Sequence, residues 1–165
     1  MDSFFNAVEV EICSKCNKSC SYCPNSINGR IEKGHMSWEV YERLINQLIE
    51  INFAGRISYD FYNEPTLSDQ LEEFVLFAKK NLPGATVELY SNGTLLTIER
   101  FRKLKRAGVR RFIITKHEDI KKYAFDKTYG LLKKEEMAMV VYRNYLEIKL
   151  TNRGGMLGHI GRGVD

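Results

Sequence analysis

The sequence has few of the features that mark exported, membrane-spanning or fibrous proteins. It contains no apolar run near the ~18 residues that a membrane helix needs. Its first residues lack a basic segment followed by an apolar block, and only three prolines occur among 165 residues. The excess of 25 basic over 21 acidic residues is small and gives no argument for a nucleic-acid partner. We therefore expect a soluble, cytoplasmic protein that contacts neither membrane nor nucleic acid.

Cysteine is absent from the chain after residue 23, which leaves no thiol to staple distant segments through disulfides. The four cysteines are Cys13, Cys16, Cys20 and Cys23, and four thiols in one loop indicate a metal or cluster site. The last three have C-x3-C-x2-C spacing, and three thiolates can bind three irons of a cubane cluster while the fourth iron stays open. Zinc is the alternative. It needs four ligands, and only Cys13 and His35 are candidates to complete the set.

The apolar pattern predicts strands and helices in alternation. Strands are expected at residues 7–12, 57–61, 85–90, 110–115 and 145–150. Helices are expected to open at Ser37, Ser68 and Thr97, with one or two short helices between residues 116 and 142. Such alternation implies right-handed βα units and a parallel sheet. Residues 1–155 are expected to form the α/β domain, and 156–165 a glycine-rich tail.

Several motifs stand at successive predicted strand ends and together resemble one family. Tyr22 precedes the last cysteine and Pro24 follows it, as in the signature of the radical S-adenosylmethionine (radical SAM) enzymes. The stretch F-Y-N-E-P at 61–65 is similar to the Gly-Gly-Glu-Pro motif of that family, and S-N-G-T at 91–94 resembles its Thr-Asn-Gly-Thr. N-R-G at 152–154 resembles a segment common in members with a C-terminal SPASM-type auxiliary-cluster domain. The resemblance runs from about residue 8 to residue 155.

The resemblance implies a partial parallel (β/α) barrel of the radical SAM type, with about five βα units and incomplete at its C-terminus. Cys16, Cys20 and Cys23 would bind a 4Fe–4S cluster whose open iron chelates S-adenosylmethionine, while Cys13 stays a buried thiol. Working residues of βα barrels gather where strands end. The cofactor contacts expected there are Tyr22, Asn63, Glu64, Asn92, Thr115 and Arg153.

Apart from Asn63, each of these contacts has an assigned partner on the cofactor and a plainer alternative. Glu64 would accept hydrogen bonds from the ammonium group, and Arg153 would pair with the carboxylate. Tyr22 would lie against adenine, and Asn92 and Thr115 would bind the ribose. The alternatives are a turn acid, a structural ion pair, a core aromatic ring, a tight turn and a strand end, respectively.

The resemblance also implies the activity. A reduced cluster cleaves S-adenosylmethionine to a 5′-deoxyadenosyl radical, which takes a hydrogen atom from a peptide or small-molecule substrate. We favour a peptide at this point, with flavodoxin or ferredoxin as the reductant and no catalytic residue beyond the cluster and cofactor. A non-catalytic iron–sulfur or zinc protein and an inactive truncated fragment remain open. The partial barrels of the family contain six βα units, whereas five strands are predicted here. We therefore expect either a second polypeptide that completes the barrel or a truncated chain.

Overall fold

Five parallel strands and their connecting helices make up the part of the chain that the computed structural model describes, which is residues 5–27, 34–118 and 120–147. The strands are β1 (Ala7–Val10), β2 (Arg56–Tyr59), β3 (Thr86–Ser91), β4 (Val109–Lys116) and β5 (Val140–Asn144). The α-helices are α1 (Pro24–Ile27), α2 (Trp38–Glu50), α3 (Leu71–Asn81), α4 (Ile98–Ala107), α5 (Ala124–Gly130) and α6 (Lys134–Met137). The sheet order is β1-β2-β3-β4-β5, and every neighbouring pair is parallel. The predicted parallel α/β class is confirmed.

Two predicted helix starts are confirmed at the level of the capping hydrogen bond. The side chain of Ser37 accepts a bond from the Val40 amide at 3.4 Å, and that of Thr97 accepts one from the Arg100 amide at 3.2 Å. Each cap satisfies a backbone donor that the first helical turn leaves unpaired. Gly108 ends α4 with φ of 132°, a backbone conformation that favours glycine.

The core lies where the helices cover the sheet, and its aromatic residues are fully buried. The Tyr41 ring of α2 packs on Phe74 of α3 with centroids 4.2 Å apart. Its hydroxyl donates to the Phe74 carbonyl at 2.8 Å and is hydrogen-bonded to the Tyr59 hydroxyl of β2 at 2.5 Å. Burial of each such ring contributes about 1.5–3 kcal/mol. This packing fixes α2 and α3 against β2, and the loop that follows β2 carries Glu64.

The third predicted helix start, at Ser68, is wrong. A short 3₁₀ helix occupies Pro65–Leu67, and Ser68 ends it by donating its amide to the Pro65 carbonyl at 3.0 Å. The α-helix itself begins at Leu71, after Gln70. Serine is favoured at both turns and helix starts, and the sequence pattern alone did not separate them.

The predicted fifth strand at 145–150 is also wrong. The structure places β5 at Val140–Asn144, paired with β4 from Phe112↔Val140 to Lys116↔Asn144. Tyr145–Glu147 is a 3₁₀ helix, and residues 148–150 lie outside the described part of the chain. The expected short helices before it are confirmed as α5 and α6.

Two other strands end earlier than predicted. β1 stops at Val10 instead of residue 12, and β2 stops at Tyr59, so Phe61 lies in the following loop with φ of 97°. Among the described helices, none is long and apolar enough to cross a membrane. The early strand ends lengthen the loops that carry the site.

Candidate functional site

The loop after β1 carries three half-buried thiols. Cys16, Cys20 and Cys23 are all free and all line one cavity. The Lys18 amide donates to the Cys16 sulfur at 3.4 Å, and the Cys23 amide donates to the Cys20 carbonyl at 3.0 Å. The last bond forms a turn that leads directly into α1 at Pro24.

These thiols are electrostatic neighbours. Burial raises the pKa of the Cys16 and Cys20 thiols above its ordinary value, and the adjacent thiols raise it further. Burial and the repulsion between neighbouring thiolates therefore disfavour deprotonation of Cys16 and Cys20 in the free protein. A cationic iron centre removes that repulsion, because thiolates are the form that binds metal.

Cys13 lies apart from this group. Its side chain is 3% exposed, and its sulfur lies 3.6 Å from the Glu64 carbonyl and 3.7 Å from the Asn63 amide nitrogen. It is not among the described residues that line the cavity. An isolated antiparallel bridge joins Cys13 to the exposed His35. The buried-thiol reading of Cys13 remains the prediction, and this position agrees with it.

Glu64, in the loop after β2, has a carboxylate held by four internal donors. Its Oε1 accepts bonds from the Thr66 amide, the Thr66 hydroxyl and the Ser91 hydroxyl, at 3.1, 2.6 and 2.7 Å. Its Oε2 accepts a bond from the Asn92 amide at 2.7 Å. The residue is 1% exposed yet lines the cavity. A carboxylate oxygen can accept at least two bonds, so Oε2, which has one donor, has capacity for another.

The turn after β3 places Asn92 against the cysteine loop. Asn92 is 4% exposed, and its side-chain amide donates to the Asn17 Oδ1 at 2.7 Å. Its Oδ1 accepts bonds from the Thr94 amide and hydroxyl at 2.9 and 2.6 Å. At the next position Gly93 has φ of 73°, and a Cβ there would lie 2.7 Å from Ile114 Cγ2, so glycine is required. The turn and ribose readings of Asn92 both remain open, since it lines the cavity as well.

Tyr22 belongs to an aromatic stack at one side of the cavity. Its ring lies parallel to that of Tyr145 with centroids 5.2 Å apart, and its hydroxyl is hydrogen-bonded to His117 Nδ1. Burial, together with the nearby charges of Lys18 and Arg143, lowers the pKa of His117 to about 4. The imidazole is therefore neutral at pH 7.

The end of β4 supplies Thr115, which is paired in register with Arg143 of β5. Arg143 Nε donates to the Thr115 hydroxyl at 3.3 Å, and both residues line the cavity. Asn63 also lines it, with a buried side-chain oxygen that has no hydrogen-bond partner. Arg153 and the N-R-G segment lie outside the described residues. The cofactor roles expected for all these residues stay predictions.

The cavity has a volume of about 340 Å³ and lies at the carboxyl ends of the strands. Its wall combines the three thiols with polar groups from the loops after β1, β2, β3 and β4. The remaining lining residues include Glu9, Lys18, Pro24, Asp60, Phe61, Tyr62 and Tyr90. This is the position at which parallel α/β sheets bind ligands.

Two carboxylates and a phenol form part of the wall supplied by β1, β2 and β3. Glu9 is on β1, Asp60 follows β2 directly, and Tyr90 is on β3. Asp60 has a buried Oδ1 with no hydrogen-bond partner. Burial, with a contribution from Glu9, raises its pKa to about 6. Asp60 is therefore still mostly ionised at pH 7. The wall around it suits a ligand that donates hydrogen bonds from a cationic group or a hydroxyl group.

The three thiols of Cys16, Cys20 and Cys23 fit a cluster in which each cysteine binds a different iron. Within residues 5–27, 34–118 and 120–147, no three His, Cys, Asp or Glu side chains are arranged to bind one metal ion together. A 4Fe–4S cluster does not need such convergence, because each thiolate binds a different iron of the cubane.

A parallel βα sheet with a three-cysteine loop after its first strand defines a class of cluster-binding proteins. The chain matches the Radical SAM superfamily over residues 10–118, and it belongs to that superfamily. Family membership confirms the resemblance seen in the sequence, and it implies S-adenosylmethionine and a 4Fe–4S cluster as cofactors.

Three comparisons with known proteins are the most informative. The chain is 41% identical over 160 residues to the S-adenosyl-L-methionine-dependent 2-deoxy-scyllo-inosamine dehydrogenase of Niallia circulans, which covers 97% of this chain and 64% of that protein. A crystal structure of BtrN in complex with AdoMet and 2-DOIA matches with a TM-score of 0.91 and 41% identity, over 97% of this chain and 65% of that one. BtrN in an open conformation matches with a TM-score of 0.71 and 37% identity, over 88% and 58%. The chain thus spans about two thirds of the length of these proteins.

Sequence reasoning missed several residues of the site, among them Asp60, His117, Arg143 and Asn17. Asp60 follows a strand directly, so the rule of strand ends could have found it. His117 and Arg143 flank predicted strand boundaries, and the misplaced fifth strand concealed Arg143. Asn17 carries no local signal, because its partner Asn92 is 75 positions away.

Proposed function

We propose that the protein is a radical SAM dehydrogenase that oxidises a hydroxyl-bearing carbon of a small, amine-substituted polyol. The observation that carries this proposal is the 41% identity over 97% of the chain to a dehydrogenase whose named substrate is an amino-substituted cyclic polyol. The small, polar cavity with two carboxylates in its wall supports it. Nothing in the described residues favours the peptide substrate that the sequence suggested.

In this proposal the strand-end residues bind the cofactor. Cys16, Cys20 and Cys23 ligate the cluster, and the free acceptor capacity of Glu64 Oε2 receives the ammonium group of S-adenosylmethionine. Asn92 and Thr115 bind the ribose hydroxyls. Tyr22, which lines the cavity, lies against adenine.

When bound, the cluster and S-adenosylmethionine supply a 5′-deoxyadenosyl radical that takes a hydrogen atom from the substrate carbon. Formation of a ketone then releases the hydroxyl proton to solvent and one electron to a one-electron acceptor of the iron–sulfur or flavin type. Flavodoxin or ferredoxin is the proposed reductant for the first step. The chain's own residues orient both molecules and limit water around them.

The wall formed by Glu9 and Asp60 is the proposed contact for the substrate amine. A protonated amine donates charge-assisted hydrogen bonds, and Asp60 Oδ1 lacks a partner inside the protein. The charge of Arg56 favours the ionised form of Asp60, but the Arg56 guanidinium pairs with Glu88 at 3.7 Å and leaves Asp60 Oδ1 without a donor. Binding of an ammonium group here supplies the missing donor and balances the charge.

Anaerobic reconstitution tests the function. The reconstituted full-length protein is supplied with dithionite, S-adenosylmethionine and 2-deoxy-scyllo-inosamine, and 5′-deoxyadenosine and the ketone are measured together. We expect both products in a defined ratio. Cleavage of S-adenosylmethionine without ketone would contradict the substrate class, and absence of cleavage would favour a non-catalytic cluster protein.

Asp60→Asn is expected to raise the KM for the amine substrate about 10-fold, because a charge-assisted bond becomes a neutral one. With its pKa of about 6, wild-type Asp60 loses its charge as the pH falls through that value, so the KM should rise below pH 6. The variant should lack this rise. Asp69→Asn, an exposed acid outside the cavity lining, is the control. An unchanged KM in Asp60→Asn would remove Asp60 from the substrate wall.

A further inference from the structure

We propose that Asn17 is a positioning residue that fixes Cys16 for cluster binding by tying the cysteine loop to the loops after β2 and β3. The proposal rests on the proposed function only in requiring the cluster on Cys16, Cys20 and Cys23. The proposal gives a role to a residue that lies between Cys16 and Cys20 and whose side chain does not bind the cluster.

A closed ring of hydrogen bonds carries the inference. The Asn17 amide nitrogen donates to the Thr94 hydroxyl at 2.7 Å, and the Asn17 Oδ1 accepts the bond from Asn92 Nδ2 at 2.7 Å. The Asn92 backbone amide donates to Glu64 Oε2 at 2.7 Å. The Glu64 backbone amide donates to the Lys15 carbonyl at 2.8 Å, and this bond closes the ring at the cysteine loop. We call this set the Asn17 ring, and its members are Lys15, Asn17, Glu64, Asn92 and Thr94.

Cys16 lies inside this ring, between two anchored neighbours. Lys15 is held through its backbone carbonyl, and Asn17 is held through both ends of its side-chain amide. The backbone on each side of Cys16 is therefore fixed by loops that are distant in sequence. A ligand whose backbone is fixed in advance loses less conformational freedom when the metal binds.

At the other two thiols, the backbone hydrogen bonds among the described residues are local. The Cys23 amide bonds to the Cys20 carbonyl, and the Ser26 amide bonds to the Cys23 carbonyl, both at 3.0 Å. These bonds form a local turn and do not connect it to another strand end. Tyr22, next to Cys23, is bonded to His117 through its side chain. Cys16 differs in that both of its sequence neighbours are bonded to loops after other strands.

Asn17 suits this role because its amide can donate and accept at the same time. Thr94 needs a donor for its hydroxyl oxygen, since its own proton goes to Asn92 Oδ1 at 2.6 Å. Asn92 Nδ2 needs an acceptor, and Asn92 is almost fully buried. Alanine at position 17 removes both partners at once and leaves a buried amide without an acceptor.

The test is iron release from the reconstituted full-length protein into EDTA under anaerobic conditions. Asn17→Ala and Thr94→Val should each release iron about 10-fold faster than the wild type. In the double variant, the fold increase in the rate of iron release should be smaller than the product of the two single increases, because both single changes break the same bond. Thr94→Ser keeps the hydroxyl and should behave as the wild type.

Ser19→Ala is the matched control, since Ser19 is exposed and lies between Cys16 and Cys20, as Asn17 does. The melting temperature of the iron-free protein is measured for every variant, and Glu88→Gln, which weakens a buried ion pair away from the cavity, supplies the comparison for general destabilisation. Iron release at the wild-type rate in Asn17→Ala, or an equal acceleration in Ser19→Ala, would overturn the proposal. So would an equal acceleration in Glu88→Gln at a comparable loss of melting temperature. Failure of polyol oxidation bears on the substrate alone and leaves this result standing.

Discussion

Replacing Cys16, Cys20 or Cys23 with alanine is expected to abolish cluster binding, whereas Cys13→Ala is expected to retain it. In the proposed assignment each of the three thiolates binds a different iron of the 4Fe–4S cubane, so loss of one thiolate exposes a second iron to solvent and oxygen. Cys13 faces the backbone of the Glu64 loop and does not line the cavity. We expect this contrast to be the largest effect of any substitution in the chain.

The measurement is iron and acid-labile sulfide per chain after anaerobic reconstitution, together with the absorbance of the cluster. Cys13→Ala is the internal control, because it removes a thiol from the same segment. The folded state of each variant is checked by circular dichroism before reconstitution. Equal iron loss in all four variants would contradict the assignment, and so would full iron in any of the three ligand variants.

Glu64→Gln is expected to weaken binding of S-adenosylmethionine by about 1.5–3 kcal/mol, or roughly 10-fold to 100-fold. The substitution keeps the size of the side chain but replaces one acceptor oxygen with a donor. That donor must face either the Asn92 amide or the group of Thr66 and Ser91 donors, so at least one internal bond is lost. The charge available to the cofactor's ammonium group is lost as well.

A second buried glutamate provides the matched control. Glu88 is 2% exposed, receives a 2.9 Å bond from Arg111 and does not line the cavity. Glu88→Gln should affect the melting temperature without changing the affinity for S-adenosylmethionine. Affinity is measured from the spectral change of the reduced cluster on titration. Wild-type affinity in Glu64→Gln, with the cluster intact, would show that Glu64 is only a turn residue.

Local chemistry explains which parts of the fold the sequence predicts. The caps at Ser37 and Thr97 each need only a hydroxyl and the amide three residues on, so local sequence suffices. β5 was misplaced because the stretch at 145–150 alternates, whereas the true strand, Val140–Asn144, is defined by its pairing with β4. Parallel pairing depends on distant residues, and no local alternation is required for it.

The same division applies to the site. Glu64 and Asn92 were predicted because each follows a strand, and the parallel order of the sheet brings such positions to one edge. The contacts between them were not predictable, since the bond from Asn92 to Glu64 joins residues 28 positions apart. Hydrogen-bond geometry at that separation depends on turn conformations such as the positive φ of Gly93.

The burial of Cys13 has a consequence for chemical labelling. An alkylating reagent reaches a thiol only when the sulfur is accessible, and Cys13 is 3% exposed while the other three cysteines are partly exposed. Burial raises the pKa of the Cys13 thiol, as it does for Cys16 and Cys20, so the contrast in labelling depends on access to the sulfur. Iodoacetamide should therefore modify three cysteines of the iron-free folded protein quickly and the fourth only as the protein opens. Mass spectrometry of the alkylated chain would then count vacant cluster sites directly, with Cys13 as a built-in reporter of unfolding.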